Sequence, residues 1–214
     1  MLVIALCKGR FLEPSLAALA RAGIRFPEDV ASSRKLIFES EDKKFRAILV
    51  KPVDVATYVE YGAADAGIAG RDVIMESRAD LLQPLDLNFG HCRIAVAGPK
   101  GSASIDGSDH PTVRVATKYP RITIDYYNAR GIPVEIIPLS GSIELAPLIG
   151  LADRIVDLVE TGRTLKENGL EILEVIAESS ARLIINRAGY QTKRHEVLGL
   201  IRAMEKVVQC ESSI

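Results

Sequence analysis

The sequence predicts an α/β protein built as two lobes, each around a mixed and mostly parallel β-sheet. Three features indicate this class: short β-rich runs that alternate with helical patterns, an internal echo of one residue order, and an apolar segment too long for one strand. The chain has 214 residues, of which 48% are hydrophobic, and this is enough for one large core or two smaller ones.

The alternation begins at the N-terminus. The run LVIALC (2–7) is followed by a helical pattern in FLEPSLAALARAG (11–23). Next, KLIFES (35–40) and FRAILV (45–50) flank the polar EDKK, which predicts an antiparallel hairpin inserted after the first helix. The alternation then continues through HCRIAVAG, TVRVATK, ITIDYYNARG, VEIIPL, IELAPLIG and IVDLV. This order is typical of βαβ units around parallel strands.

The echo is an order of glycine, aspartate, apolar run, glycine and arginine. It occurs in YGAADAGIAGRDV (61–73) and again in IGLADRIVDLVETGRTL (149–165). Glycine is common after helices and after strands, so the usual placement of glycine at the ends of elements also explains the similarity. A genuine repeat predicts that each lobe presents a strand-to-helix turn to a shared cleft, because open α/β sheets bind ligands at such turns.

The long apolar segment is LEILEVIAESSARLIINR (170–187). A typical strand has about 5 to 6 residues, so this segment is predicted to cross from the second lobe back to the first. A helix over 190–208 then packs on the first lobe, with Leu198, Ile201, Val207 and Val208 among its apolar positions. The predicted first lobe is 1–90 plus 180–214, and the second lobe is 91–179.

The charge balance excludes some classes of partner. The 27 basic and 28 acidic residues nearly cancel, so no global field draws the chain to nucleic acid or to an anionic membrane.

No apolar run reaches the ~18 residues of a membrane helix, and no signal peptide is recognisable, which predicts a cytoplasmic protein. The polar loop 98–111 is explained by its glycine, serine and aspartate content.

The cysteines and histidines have neither disulfide nor metal-ligand spacing. The cysteines are odd in number and scattered, which predicts reduced thiols, and no histidine is assigned a role. The residues concerned are Cys7, Cys92, Cys210, His91, His110 and His195.

The best candidate for a binding site is DLVETGRTL (157–165). Small residues, two threonine hydroxyls and Arg163 suit a phosphate, and a helix beginning near Arg163 would direct free N–H groups at the anion. Asp157, on the strand before the turn, is placed to accept hydrogen bonds from sugar hydroxyls. The alternative is a plain strand, turn and helix, with Thr161 as N-cap and Asn168–Gly169 as the stop.

The longer stretch ELAPLIGLADRIVDLVETGRTL (144–165) resembles, without a gap, the motif of the ATP phosphoribosyltransferases that begin histidine biosynthesis. The matching residues are Glu144, Gly150, Ala152, Ile155, Asp157, Leu158, Thr161, Gly162, Thr164 and Leu165. ALCKGR, SRKLIF, VKPVDV, EYGAADAGIAGRDV, VATKYP and SARLIINR are also similar to this family, in order and spacing. The chain stops near residue 208, where long members continue, and so resembles the short form.

The resemblance implies a reaction and an assembly. Phosphoribose passes from 5-phosphoribosyl 1-diphosphate to N1 of the adenine of ATP, with Mg²⁺, and pyrophosphate leaves. The implied fold is two lobes like a type II periplasmic binding protein. The implied partner is a regulatory subunit similar to histidyl-tRNA synthetase, in a hetero-oligomer that histidine inhibits.

The resemblance also implies roles for residues. The residues assigned to phosphoribosyl diphosphate are Asp157, Glu160, Thr161, Gly162, Arg163, Thr164 and Glu144. Those assigned to ATP are Lys8, Arg10, Arg34 and Asp72. Those assigned to catalysis are Arg10, Arg34 and Lys51. Asp72 is expected to face the adenine or the metal, and no residue is assigned as a metal ligand. Adenine N1 is an unprotonated nucleophile near neutral pH, so charge stabilisation rather than a general base is expected to dominate. Arg71 is a further candidate cation, whereas Lys118 and Tyr119 match a family segment without a physical reason.

Two alternatives stay open. One is a cytoplasmic ligand-binding or effector module of the same fold, because fold does not decide function. The phosphate-binding turn together with clustered cations argues against a receptor for an amino acid or a sugar. The other is a subunit that is inactive alone.

Overall fold

A computed structural model describes residues 1–27, 30–102 and 112–211. The strands are β1 (Leu2–Cys7), β2 (Ile37–Glu39), β3 (Phe45–Val50), β4 (Ala66–Gly70), β5 (Leu81–Asp86), β6 (Cys92–Pro99), β7 (Val113–Thr117), β8 (Val134–Pro138), β9 (Arg154–Val159), β10 (Leu170–Ser179) and β11 (Ala181–Asn186). The helices are α1 (Leu12–Arg21), α2 (Val55–Glu60), α3 (Arg71–Ser77), α4 (Pro120–Asn128), α5 (Leu145–Leu148), α6 (Arg163–Glu167), α7 (Arg187–Thr192) and α8 (Arg194–Glu211). The α/β class is therefore confirmed.

The chain divides into two compact units. Unit 1 comprises Met1–Gly90 and Ser180–Ile214, and unit 2 comprises His91–Ser179. Most of the polar loop predicted at 98–111, including His110, lies outside the described residues. In the part of the chain that the structure describes, no helix is both long and apolar enough to span a membrane.

Unit 1 contains a six-stranded sheet in the order β2-β3-β1-β4-β11-β5. β1 pairs in parallel with β3 and β4, and β4 pairs antiparallel with β11. The predicted hairpin is confirmed, because β2 and β3 pair antiparallel. Elements cover both faces of the central strands, so β1 and β4 read as nearly continuous apolar runs rather than alternating ones.

The C-terminal helical region packs on the core of unit 1, as predicted. Val197, Leu200 and Met204 of α8 are fully buried there. The single helix predicted over 190–208 is instead two helices, because Lys193 leaves the helical conformation at φ −122° and ψ 37°.

Unit 2 contains a five-stranded sheet in the order β10-β6-β9-β7-β8. β7 pairs in parallel with β8 and β9, while β6 pairs antiparallel with β9 and β10. Both sheets are mixed, as predicted, but parallel pairing is confined to three strands in each. Apart from the β2–β3 hairpin, the antiparallel pairs arise because β6 and β11, on the segments that connect the units, run against their neighbours, so β10 and β5 join the sheets through antiparallel pairing.

The long apolar segment is two strands. β10 belongs to unit 2 and β11 to unit 1, with Ser180 between them. This confirms that the segment carries the chain from the second unit back to the first.

The echo is a structural repeat. Asp65, ahead of β4, donates its N–H to Val3 O at 2.8 Å and accepts from Val3 N at 2.8 Å through its carboxylate. Asp153, ahead of β9, makes the same pair of bonds with Arg114, at 2.8 and 2.9 Å. The preceding glycines also match, with φ of 74° at Gly62 and 73° at Gly150. The aspartates therefore lock equivalent parallel strands together in the two units.

The repeats differ after the strand. In unit 1, α3 begins at Arg71, directly after β4. In unit 2, residues 160–162 separate the end of β9 from the start of α6. The longer turn of unit 2 is the segment that the sequence predicts to bind phosphate.

Candidate active site

In unit 2, three turns follow the carboxyl ends of parallel strands. They are Lys118–Tyr119 after β7, Leu139–Ser142 after β8 and Glu160–Gly162 after β9. Parallel strands end at one edge of a sheet, and ligands of open α/β sheets bind at that edge. The predicted phosphate turn therefore lies at the edge where such a site is expected.

Gly162 shapes the turn between β9 and α6. It adopts the left-handed conformation, with φ 75°, and is the N-cap of α6, which begins at Arg163 as predicted. The capping role that the alternative gave to Thr161 is wrong, because Thr161 precedes the cap, and its hydroxyl only accepts a long bond of 3.4 Å from Arg163 N. The predicted stop is confirmed, since Asn168 is the C-cap and Gly169 follows at φ 69°.

The side chains of this turn are accessible. Glu160, Thr161 and Thr164 are exposed. Arg163 is 83% exposed and lies 3.9 Å from Glu167, one helical turn away. Such an exposed pair contributes only a few tenths of a kcal/mol, so it barely opposes transfer of the guanidinium to a ligand anion.

Asp157 stands on β9 beside the turn. Its side chain is 16% exposed, and its Oδ1 accepts from Leu158 N at 2.7 Å and lies 3.0 Å from Lys118 Nζ. The structure thus supplies the physical reason for Lys118 that the sequence lacked. The pairing of β7 with β9 brings together two residues that are 39 positions apart, and no spacing rule within a single segment reveals it.

Glu144 is the N-cap of α5, a helix of four residues that Pro147 keeps short, as predicted. The chain reaches it from the carboxyl end of β8, through Ser142, which has a positive φ of 49°. Positive φ is uncommon for serine and marks a constrained turn. The ribose-binding role of Glu144 stays a prediction.

In unit 1, the predicted cations meet at one sheet edge. Lys8 and Arg10 follow β1, Lys51 follows β3, Arg71 and Asp72 follow β4, and Arg34 precedes the antiparallel β2. Two backbone bonds fix this geometry: Lys8 N donates to Val50 O at 3.0 Å, and Leu49 N donates to Leu36 O at 2.8 Å. The residues assigned to ATP and to catalysis therefore share the carboxyl edge of unit 1.

Asp72 is buried in the first turn of α3, where the helix dipole favours its charge. A Cβ at Gly70 would lie 2.2 Å from Asp72 Oδ1, so any larger residue there would displace the carboxylate. Burial raises the pKa of the neighbouring Cys7 thiol to about 11, and Asp72 adds to that increase while Arg10 opposes it. Cys7 is therefore protonated near neutral pH and unsuited to nucleophilic catalysis.

The cysteines at positions 7, 92 and 210 are free. Within the described ranges, no three histidine, cysteine, aspartate or glutamate side chains form a group that could hold a metal.

Residues 51–206 match the model of the ATP phosphoribosyltransferase (HisG) family. The chain is 51% identical over 208 residues to the ATP phosphoribosyltransferase of Geobacter metallireducens. The alignment covers 97% of this chain and 98% of that one. The chain belongs to the ATP phosphoribosyltransferase family. Its enzyme class is therefore pentosyltransferase, and its reaction is the first step of histidine biosynthesis, as the sequence predicted.

Solved structures place this ATP phosphoribosyltransferase in the expected fold. The structure of the ATP phosphoribosyl transferase (HisG:HisZ) complex from Thermotoga maritima matches with a TM-score of 0.85 at 39% identity, over 98% of this chain and 99% of that chain. The substrate binding protein of an amino acid ABC transporter matches with a TM-score of 0.59 at 14% identity, over 97% of this chain and 91% of that chain. The second match concerns the fold alone, which is that of the periplasmic binding proteins. The family match favours the enzyme over a binding module.

Proposed function

We propose that unit 2 binds 5-phosphoribosyl 1-diphosphate and unit 1 binds ATP, so that phosphoribose passes to N1 of the adenine. The observation that carries this division is the turn at 160–162. It is present after β9 and absent after the equivalent β4, and it places a glycine-capped helix beside Asp157.

The turn suits a phosphate monoester. The N–H groups at the start of α6, the hydroxyls of Thr161 and Thr164, and the Arg163 guanidinium are donors for the 5-phosphate. Gly162 lets the backbone approach the anion. Asp157 accepts hydrogen bonds from the ribose hydroxyls, and Glu144 and Glu160 are assigned to the same substrate.

The reaction needs no general base on the protein. The lone pair of adenine N1 forms the bond to the anomeric carbon, while the bond from that carbon to the pyrophosphate oxygen breaks and its electrons leave with pyrophosphate. Arg10, Arg34 and Lys51 stabilise the negative charge that develops there, with Lys8 on the phosphates of ATP. Loss of one preorganised contact of this kind costs about 3 kcal/mol.

Mg²⁺ is part of the proposal. This ion is commonly held by substrate phosphates and one or two carboxylates, with water completing its coordination. Asp72 is the candidate carboxylate on the protein. The ion would supply charge neutralisation at the pyrophosphate.

We further propose that the chain works in the cytoplasm, with a regulatory subunit similar to histidyl-tRNA synthetase. The Thermotoga maritima structure is of a HisG:HisZ complex, which supports a hetero-oligomer.

Product formation tests the proposal. The chain is incubated with ATP, phosphoribosyl diphosphate, Mg²⁺ and pyrophosphatase, alone and with a regulatory subunit purified from the same source. We expect the altered ultraviolet absorption of N1-substituted adenine, and mass spectrometry identifies the product. Lack of product under both conditions would contradict the proposed function.

A further inference from the structure

We propose that Lys118 is a positioning residue, which holds the Asp157 carboxylate in the orientation that accepts the ribose hydroxyls. The proposal rests on the proposed function of unit 2.

The two oxygens of Asp157 have different environments. Oδ1 lies within hydrogen-bonding distance of two donors, Leu158 N at 2.7 Å and Lys118 Nζ at 3.0 Å. Oδ2 accepts no hydrogen bond from the residues that the structure describes. Two donors on one oxygen fix the rotation of a carboxylate, so Oδ2 keeps its lone pairs for a ligand.

The backbone around Lys118 is held by buried threonines. Thr117 Oγ donates to Val156 O at 2.7 Å and accepts from Tyr119 N at 2.9 Å. Thr123 Oγ donates to Tyr119 O at 2.7 Å. These bonds tie the β7–α4 turn to the residue that precedes Asp157, so the lysine is presented from a rigid turn.

The repeat shows that the fold itself does not need the ion pair. In the repeat, Val3 is equivalent to Arg114 and Asp65 is equivalent to Asp153, because each aspartate makes the same pair of bonds with its partner. Counting along the equivalent strands, Cys7 occupies the position of Lys118, and Ala69 that of Asp157. Unit 1 folds with a thiol and a methyl group where unit 2 has a charged pair. The pair therefore serves something that unit 1 does not share.

The pair is also poorly placed to stabilise the fold. The Lys118 side chain is 39% exposed and that of Asp157 16%, so water reaches the lysine end of the pair, and such partly solvated ion pairs contribute little to stability. Substitution of Lys118 is therefore expected to move the melting temperature by less than about 4 °C.

A double-mutant cycle tests the role. Lys118→Met keeps the length of the side chain and removes its charge. We expect KM for phosphoribosyl diphosphate to rise about tenfold, KM for ATP to stay within about twofold, and Lys118→Arg to restore most of the loss. Combined with Asp157→Asn, Lys118→Met is expected to have no further effect, because the lysine acts through the carboxylate.

The matched control is Lys44→Met. Lys44 of unit 1 lies 3.6 Å from Asp42 in a lysine–aspartate pair in which both side chains are exposed, and its loss is expected to leave both KM values unchanged. Full additivity of the Lys118 and Asp157 effects would overturn the positioning role, because the lysine would then act on the substrate directly. Equal changes in both KM values with a lower melting temperature would also overturn it. A lack of effect of Asp157→Asn on phosphoribosyl diphosphate would instead contradict the proposed function.

Discussion

Charged side chains in both units follow parallel strands, and this position accounts for their accessibility. A strand covered on both faces buries its own side chains, whereas the first residue beyond it leaves the sheet and reaches solvent. Lys8 and Lys51 are exposed for this reason in unit 1. Asp157 is different, since it lies within β9, and its charge is matched by the lysine beyond β7.

At this scale, Arg34 is expected to affect turnover more than binding. Arg34→Ala removes a cation assigned to the departing pyrophosphate, so kcat should fall about a hundredfold, while KM for ATP changes only a fewfold. Steady-state kinetics with each substrate varied measure the two effects. Arg25→Ala is the control, because Arg25 is also exposed but lies far from Arg34. The Arg25 carbonyl accepts from Glu41 N, at the opposite end of the β2–β3 hairpin. A loss confined to KM would contradict the role.

The element scale shows what local sequence signals can and cannot predict. The start of α6 at Arg163 and its stop at Asn168–Gly169 follow from residue types in one short segment, and both are as predicted. The N-cap given to Thr161 in the alternative interpretation was wrong, because Gly162 at a positive φ forms the turn without a side-chain oxygen. The Lys118–Asp157 pair was not predictable in this way, because it depends on the register between β7 and β9. Alternation does not reveal strand direction, so the reversed directions of β6 and β11 needed the structure.

The two glycines that flank α6 allow a matched test of the turn. Gly162 and Gly169 have φ of 75° and 69°, so alanine at either position should destabilise the protein by about 1 to 2 kcal/mol. Only Gly162→Ala is expected to raise KM for phosphoribosyl diphosphate, by about tenfold or more, since only that residue lies in the turn. Thermal melts and steady-state kinetics on both variants separate the two effects. Similar KM values in the two variants would remove the turn from the binding site.

At the scale of the whole molecule, the repeat explains how one fold presents two chemically different sheet edges. Asp65 and Asp153 fix the same strand geometry in both units. The residues beyond the strands then differ, with clustered cations in unit 1 and a longer turn in unit 2. The echo in the sequence indicated the repeat, but the matched register needed the structure.

The repeat also makes the stability of the protein depend on pH in the acid range. Hydrogen bonds from Arg114 hold the pKa of the Asp153 carboxyl below its usual range. A lowered pKa means that the carboxylate stabilises the fold above about pH 4 and that this contribution is lost as the pH falls through the lowered value. Asp153→Asn should therefore be less stable at pH 7 and lose less stability between pH 5 and about pH 2. Urea unfolding across that range measures the difference, with Asp80→Asn as an exposed control. Parallel pH profiles for wild type and Asp153→Asn would contradict this account.

Hydrogen exchange with each substrate tests the division between the units most directly. The chain is labelled with phosphoribosyl diphosphate and Mg²⁺, with ATP and Mg²⁺, and with Mg²⁺ alone, and exchange is compared peptide by peptide. Phosphoribosyl diphosphate is expected to protect the amides of residues 157–167 most strongly, because the phosphate binds the N–H groups of that turn. ATP is expected to leave that peptide unchanged and to protect the segments around Lys8, Lys51 and Asp72. Protection by phosphoribosyl diphosphate confined to unit 1 would contradict the central claim.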